Sequence, residues 1–131
     1  MREQSHRVIG RITDRASRTT RRIVLPETDD LRVLSAAQEI TARGYARVTL
    51  LGERARLETL LGRQALNLLL EETQLIDPEQ DDQRDLYLER LYDLRRSRGL
   101  TREKADILLR NPVYFGGQMV ADGRVDGMVA G

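Results

Sequence analysis

Almost all of the cations that could do chemistry in this sequence are arginines. Lys104 is the only lysine, and every other basic side chain is an arginine. A guanidinium presents a rigid fork of N–H donors that matches phosphate and carboxylate oxygens two at a time. Two arginines stand where a ligand could use that fork. Arg32 falls in the first turn of a predicted helix, just after the apolar strand end Leu25-Pro26-Glu27. Arg95 falls near the end of a helix predicted over 83–98. An arginine there also complements the negative end of the helix dipole, and that role accounts for Arg95 as well as a ligand does.

Other chemistries find little support. There is no cysteine, so disulfides, thiolate catalysis and cysteine-bound metals are excluded within these residues. His6 stands alone, whereas a metal site needs several ligands at suitable spacing. The acids Asp77, Glu79, Asp81 and Asp82 lack the spaced oxygens and the glycine of a calcium loop. A strand ending in Asp-Pro and acids at a helix N-terminus explain them without a metal. Gly116-Gly117 is not followed by Lys-Ser or Lys-Thr, so it is no phosphate loop; close helix packing is the simpler reading. No metal site and no bound cofactor are expected.

The elements that must position these arginines follow from hydrophobic spacing. A short amphipathic helix is expected over 5–17, capped by Ser5. Ile23-Val24-Leu25 reads as a buried strand stopped by Pro26. Asp29 or Asp30 caps a helix that Gly44 ends. Val48–Leu51 reads as a second strand, stopped by Gly52. A helix over 53–61 turns Leu57, Leu60 and Leu61 to one side. The stretch 62–72 reads as helix or packed loop. Gln74–Ile76 makes a third strand before Asp77-Pro78. Leu86, Leu88, Leu91, Tyr92 and Leu94 mark the next helix, with Gly99 as its stop. Thr101 opens another, with Ala105, Ile107, Leu108 and Leu109 on its apolar side. Asn111-Pro112 starts a helix through Val120, and Val125–Ala130 reads as a fourth strand. Strands alternating with helices at this spacing predict parallel βαβ units.

Bulk properties set the class. At 131 residues the chain suffices for one domain with a core. Its net charge of +1 argues against a nucleic-acid binder, which needs a clear basic excess. No apolar run approaches the roughly 18–20 residues that cross a bilayer. The opening MREQSHRVIGRITDR lacks an apolar core and a cleavage site, so no secretory signal is expected. Its basic start mimics a transit peptide, but Glu3 and Asp14 argue against one. A cytoplasmic setting is expected. Composition and spacing alone reach no further than a soluble α/β domain.

Longer blocks carry more. IVLPETDDLRVLSAA, residues 23–37, resembles the opening of the phosphate acetyltransferase and phosphate butyryltransferase family. Arg43-Gly44 and Leu50-Leu51-Gly52 fit that family's second βα step, and Ile76-Asp77-Pro78 its next strand end. LYDLRR, residues 91–96, is similar to its Tyr-Glu-Leu-Arg-Lys segment, with Asp93 and Arg96 as conservative departures. Gly99-Leu100-Thr101, Asn111–Gly116 and Asp126–Gly131 continue the likeness in order, while 62–74 departs from it.

The resemblance implies a three-layer α/β/α fold with a mostly parallel sheet, of the isocitrate/isopropylmalate dehydrogenase-like kind and cut short. Residues 1–131 would be the N-terminal part of a phosphate acyltransferase, lacking the C-terminal catalytic part. The implied reaction interconverts acetyl-CoA plus phosphate with acetyl phosphate plus CoA, so coenzyme A is substrate rather than cofactor. Arg95 matches an arginine implicated in substrate binding, most plausibly to a CoA phosphate, and Arg32 is a weaker match. The catalytic aspartate and Ser-Arg pair of the family fall beyond position 131, so no catalytic residue is assigned. Small-molecule substrates and a homodimer of the full-length protein are the implied partners. The competing expectation is a non-catalytic, acyl-CoA-sensing module of the same fold.

Overall fold

The computed structural model describes residues 20–131. The helix expected over 5–17, and His6 with it, lies outside those residues. Four strands form one sheet: β1 (Arg21–Leu25), β2 (Ala46–Leu51), β3 (Gln74–Ile76) and β4 (Gly127–Met128). Among the described residues six α-helices accompany them: α1 (Leu31–Ala42), α2 (Arg54–Leu61), α3 (Arg63–Leu70), α4 (Arg84–Arg95), α5 (Arg102–Leu109) and α6 (Pro112–Ala121). One 3-10 turn, Arg96–Arg98, follows α4.

Every pairing in the sheet is parallel, in the order β3-β2-β1-β4. β1 runs beside β2 from Arg21 opposite Ala46 to Leu25 opposite Leu50. Both faces are buried, as a parallel sheet requires. Ile23 and Leu25 of β1 join Ala46, Val48 and Leu50 of β2 on one face, under Leu34, Ala37 and Ile40 of α1, Leu57 of α2 and Leu66 and Leu69 of α3. The alternate residues Val24, Leu51 and Ile76 face the other way. They meet Tyr87 and Leu91 of α4, Ala105 and Leu109 of α5, and Phe115 and Met119 of α6. The fold is therefore three-layer α/β/α, and its two cores follow the two-residue period of the strands.

Several expectations change in detail. The stretch 62–72 is mostly helix, with Leu66 and Leu69 buried and Leu68 exposed. In α4 the residues inside are Tyr87 and Leu91, whereas Leu86 and Leu94 are 50% and 68% exposed. The helical period accounts for Leu86, about 100° round the helix from the face that Tyr87 and Leu91 share; Leu94 lies close to that face but in the last turn of α4. Ile107 of α5 lies opposite the buried Ala105 and Leu109 and is exposed, and Leu60 of α2, expected inside with Leu57, is exposed too. The fourth strand shrinks to two residues, because only Ile23 and Val24 offer it partners.

Gly116 carries the packing role expected of it. A Cβ there would come within 2.8 Å of Met128 Sδ and 3.5 Å of Val24 Cγ1, so α6 lies directly on β4 and β1. Asp81, from the acidic cluster, accepts both Nη groups of Arg124 at 2.7 and 2.8 Å. Asp77 closes a turn by accepting the N–H of Glu79 at 3.0 Å. Among the described residues, no group of three or more His, Asp or Glu side chains is placed to hold a metal ion.

Candidate functional site

The strand order reverses beside β1. The chain runs from β1 to β2 to β3 on one side and returns to place β4 on the other. A reversal leaves a crevice outside the carboxyl ends of the two central strands, and open α/β sheets bind ligands there. The loop leaving β1 and the first turn of α6 border an open depression. Its walls include Pro26, Glu27, Asp30, Arg32, Asn111 and Val113.

Local sequence explains the shape. Pro26 ends β1, since it has no N–H to continue the ladder. Thr28 is buried and donates its hydroxyl to the Leu51 carbonyl at 2.6 Å, tying the β1 loop to the end of β2. Gly52 makes that approach possible, for a Cβ there would lie 2.7 Å from Thr28 Oγ1. Asp30 and Asn111 then cap the two helices that open at the depression. Asp30 accepts the N–H of Arg32 at 2.9 Å, and Asn111 accepts the N–H of Val113 at 3.0 Å. Each cap satisfies one amide, and the remaining first-turn amides of α1 and α6 favour negative charge nearby. Glu27 reaches across the crevice and accepts the Gly131 N–H at 3.0 Å.

The two sequence-predicted arginines are placed differently. Arg32 lies on the wall of the depression, 71% exposed, and turns back on its own cap. Its Nε and Nη2 donate to the Asp30 carboxylate at 3.1 and 2.8 Å. These bonds hold the Asp30 carboxyl below its ordinary value, the side chain of Arg32 acting first and its backbone N–H second. Arg95 is not part of the wall. Its guanidinium stands 5.8 Å from the ring centre of Tyr114, the residue after Val113. The fold thus brings both arginines towards the first turn of α6 without joining them. Glu27, Thr28 and Tyr114 escaped the sequence reading as functional residues. Only the strand-end position of Glu27 and the cap signal Asn111-Pro112 pointed at this corner.

Residues 7–131 match the family described as phosphate acetyl/butaryl transferase. The chain belongs to that family. A phosphate acetyltransferase of Acetivibrio thermocellus is 39% identical over 123 residues, which are 94% of this chain and 36% of that protein. One from Clostridium acetobutylicum is 34% identical over 124 residues, 95% of this chain and 37% of the relative. The EutD phosphotransacetylase from Staphylococcus aureus superposes with a TM-score of 0.77 at 33% identity, covering 97% of this chain and 38% of that one. The chain therefore spans little more than a third of the length of these relatives.

Proposed function

We propose that these residues form part of an acyltransferase that interconverts acetyl-CoA plus phosphate with acetyl phosphate plus CoA. The observation that carries the reading is the depression at the strand-order reversal, opened by two helix N-termini and walled by Arg32. Its chemistry suits an anionic ligand, since helix N-termini and guanidinium forks both favour phosphate oxygens. In this reading Arg95 contacts a phosphate of CoA and Arg32 is a second substrate-binding arginine. The chemical step is attack of the CoA thiolate on the acetyl phosphate carbonyl, with phosphate leaving. The oxyanion formed on the way needs preorganised N–H donors or cations. The aspartate that takes the thiol proton and the Ser-Arg pair of such a site are not assigned among residues 20–131. A cytoplasmic homodimer goes with this reading. The acyl-CoA-sensing module has no support in the comparisons, since the relatives reported are named as phosphate acetyltransferases.

Calorimetric titration with CoA, with dephospho-CoA, which lacks the 3′-phosphate, and with pantetheine, which lacks all the phosphates and the adenosine, tests the proposal. Binding of CoA with at least tenfold weaker binding of pantetheine is expected. Equal affinities would remove the phosphates from recognition and the role of both arginines with them.

A further inference from the structure

Each of the four tyrosines of the sequence has an arginine over its ring. In three of these stacks a carboxylate also holds the guanidinium. Glu39 lies 3.2 Å from Arg43 over Tyr45, Asp122 lies 3.1 Å from Arg90 over Tyr87, and Glu89 bonds Arg102 over Tyr92. Arg95 is the exception. Among the described residues, the ring of Tyr114 is the only partner of its guanidinium.

The difference matters for what the cation can still do. A carboxylate consumes N–H donors and neutralises charge. A ring face attracts the cation through its quadrupole and leaves the in-plane donors open. Tyr114 sits in the first turn of α6, directly after the Asn111–Val113 segment that walls the depression. A guanidinium resting on it is oriented beside the site with its fork unspent.

We propose that Tyr114 is a positioning residue for Arg95, holding its guanidinium by the ring face so that all its N–H donors remain available to a phosphate of the ligand. This rests on the reading of Arg95 as a phosphate contact. It goes further in assigning the orientation of that contact to one aromatic ring. The phenolic hydroxyl has no part in the stack, so the ring alone carries the effect.

Two measurements on the full chain test this. CoA dissociation constants are determined for the wild type, Arg95→Ala, Tyr114→Phe, Tyr114→Leu and the double variant Arg95→Ala/Tyr114→Leu. The ring-current shift of the Arg95 side-chain protons is followed by NMR in the first, third and fourth. Tyr114→Phe should bind as the wild type does and keep the shift. Tyr114→Leu should lose the shift and weaken CoA by about two- to fivefold, the worth of an exposed cation–π contact. In the Arg95→Ala background the leucine should add nothing. A leucine penalty that persists without Arg95 would overturn the proposal, because the ring would then act on ligand or fold directly. Unchanged affinity in Tyr114→Leu would overturn it too. Wild-type affinity in Arg95→Ala, with the ring-current shift present in the wild type, would instead sink the phosphate reading and leave the stack as packing.

Discussion

The two ends of β1 and β4 use arginine in opposite ways. At the amino end the charges are closed on one another. Arg124 grips Asp81 with both Nη groups, and Arg90 and the Tyr87 hydroxyl both donate to Asp122. Arg22 donates its Nη2 to the Gly123 carbonyl and its backbone N–H to Asp126. The Asp81 side chain is only 10% exposed, and the bonds from Arg124 hold its carboxyl below the ordinary value. At the carboxyl end, Arg32 donates to Asp30, a neighbour two residues away, and among the described residues Arg95 meets only an aromatic face. Arginines of the first kind, paired with carboxylates and carbonyls, fix the turn that enters β4. An arginine held by a ring face, as Arg95 is, keeps its donors for something else. Charge content alone does not separate the two, because both ends are rich in the same residue types.

The sharpest way to break this contrast is to open the closed end. Arg124→Leu leaves Asp81 without its counter-ion in a mostly buried place, and removing one member of such a pair costs more than the pair is worth. A loss of roughly 2–3 kcal/mol is expected in urea denaturation, set by the charge-assisted hydrogen bonds and reduced by the partial exposure of Arg124. Adding Asp81→Leu should recover most of it. A loss of under about 0.5 kcal/mol, the level of an exposed ion pair, would show the amino end to be as loosely tied as the other.

The open end should respond in the reverse sense. Arg95→Ala should weaken CoA binding by roughly ten- to a hundredfold, the worth of a charge-assisted phosphate contact, and leave the melting temperature nearly unchanged. Arg95→Lys separates ligand from dipole, since lysine keeps the charge but loses the bidentate fork. If both variants melt lower yet bind CoA as the wild type does, Arg95 is a helix-end residue and the comparison fails at its open end.

How far the sequence announces these roles can be seen residue by residue. Pro26, the cap at Asp30 and the stop at Gly52 mark β1, α1 and β2, because turn chemistry is local. The apolar side of α4 is less legible. Leucines at 86, 88, 91 and 94 outnumber Tyr87, yet Tyr87 is buried against Phe115, ring centres 5.1 Å apart. Its phenol finds partners inside because Asp122, 35 positions on, accepts the hydroxyl and the Arg124 side chain bonds it as well. Both partners are set by tertiary contact. The same holds for the site. Arg32 and Arg95 stood out by type and by resemblance, but the carboxylate that occupies one and the ring that carries the other depend on packing. The reversal of strand order depends on where β4 is placed, and its two residues leave almost no pattern to read.

Acid should also loosen the closed end. A carboxyl held low in the folded state stabilises the fold fully above its ordinary value of 3.8, and this contribution fades as pH falls through the depressed value. The stability difference between the wild type and Asp81→Asn should therefore be level from about pH 7 to 5 and shrink below about pH 4. A difference that stayed constant to about pH 2 would mean that the charge of Asp81 contributes nothing.

The smallest effect expected lies at Asp30, where the two uses of arginine compete within three residues. The carboxylate caps α1 and also occupies Nε and Nη2 of Arg32. Asparagine keeps a side-chain oxygen for the cap, so Asp30→Asn should fold as the wild type does. It removes the negative charge that competes with a ligand phosphate for Arg32. If Arg32 serves the ligand, CoA should bind about two- to threefold more tightly, the scale of an exposed ion pair released. Repeating the titration at high salt should erase most of the gain, because screening weakens the competition it relieves. Weaker binding in Asp30→Asn would carry the opposite lesson. The carboxylate would then be holding Arg32 in its binding pose, as Tyr114 is proposed to hold Arg95, and the open end would contain two positioned arginines. Unchanged binding, with Arg32→Ala also silent, would leave Arg95 as the sole guanidinium serving the depression.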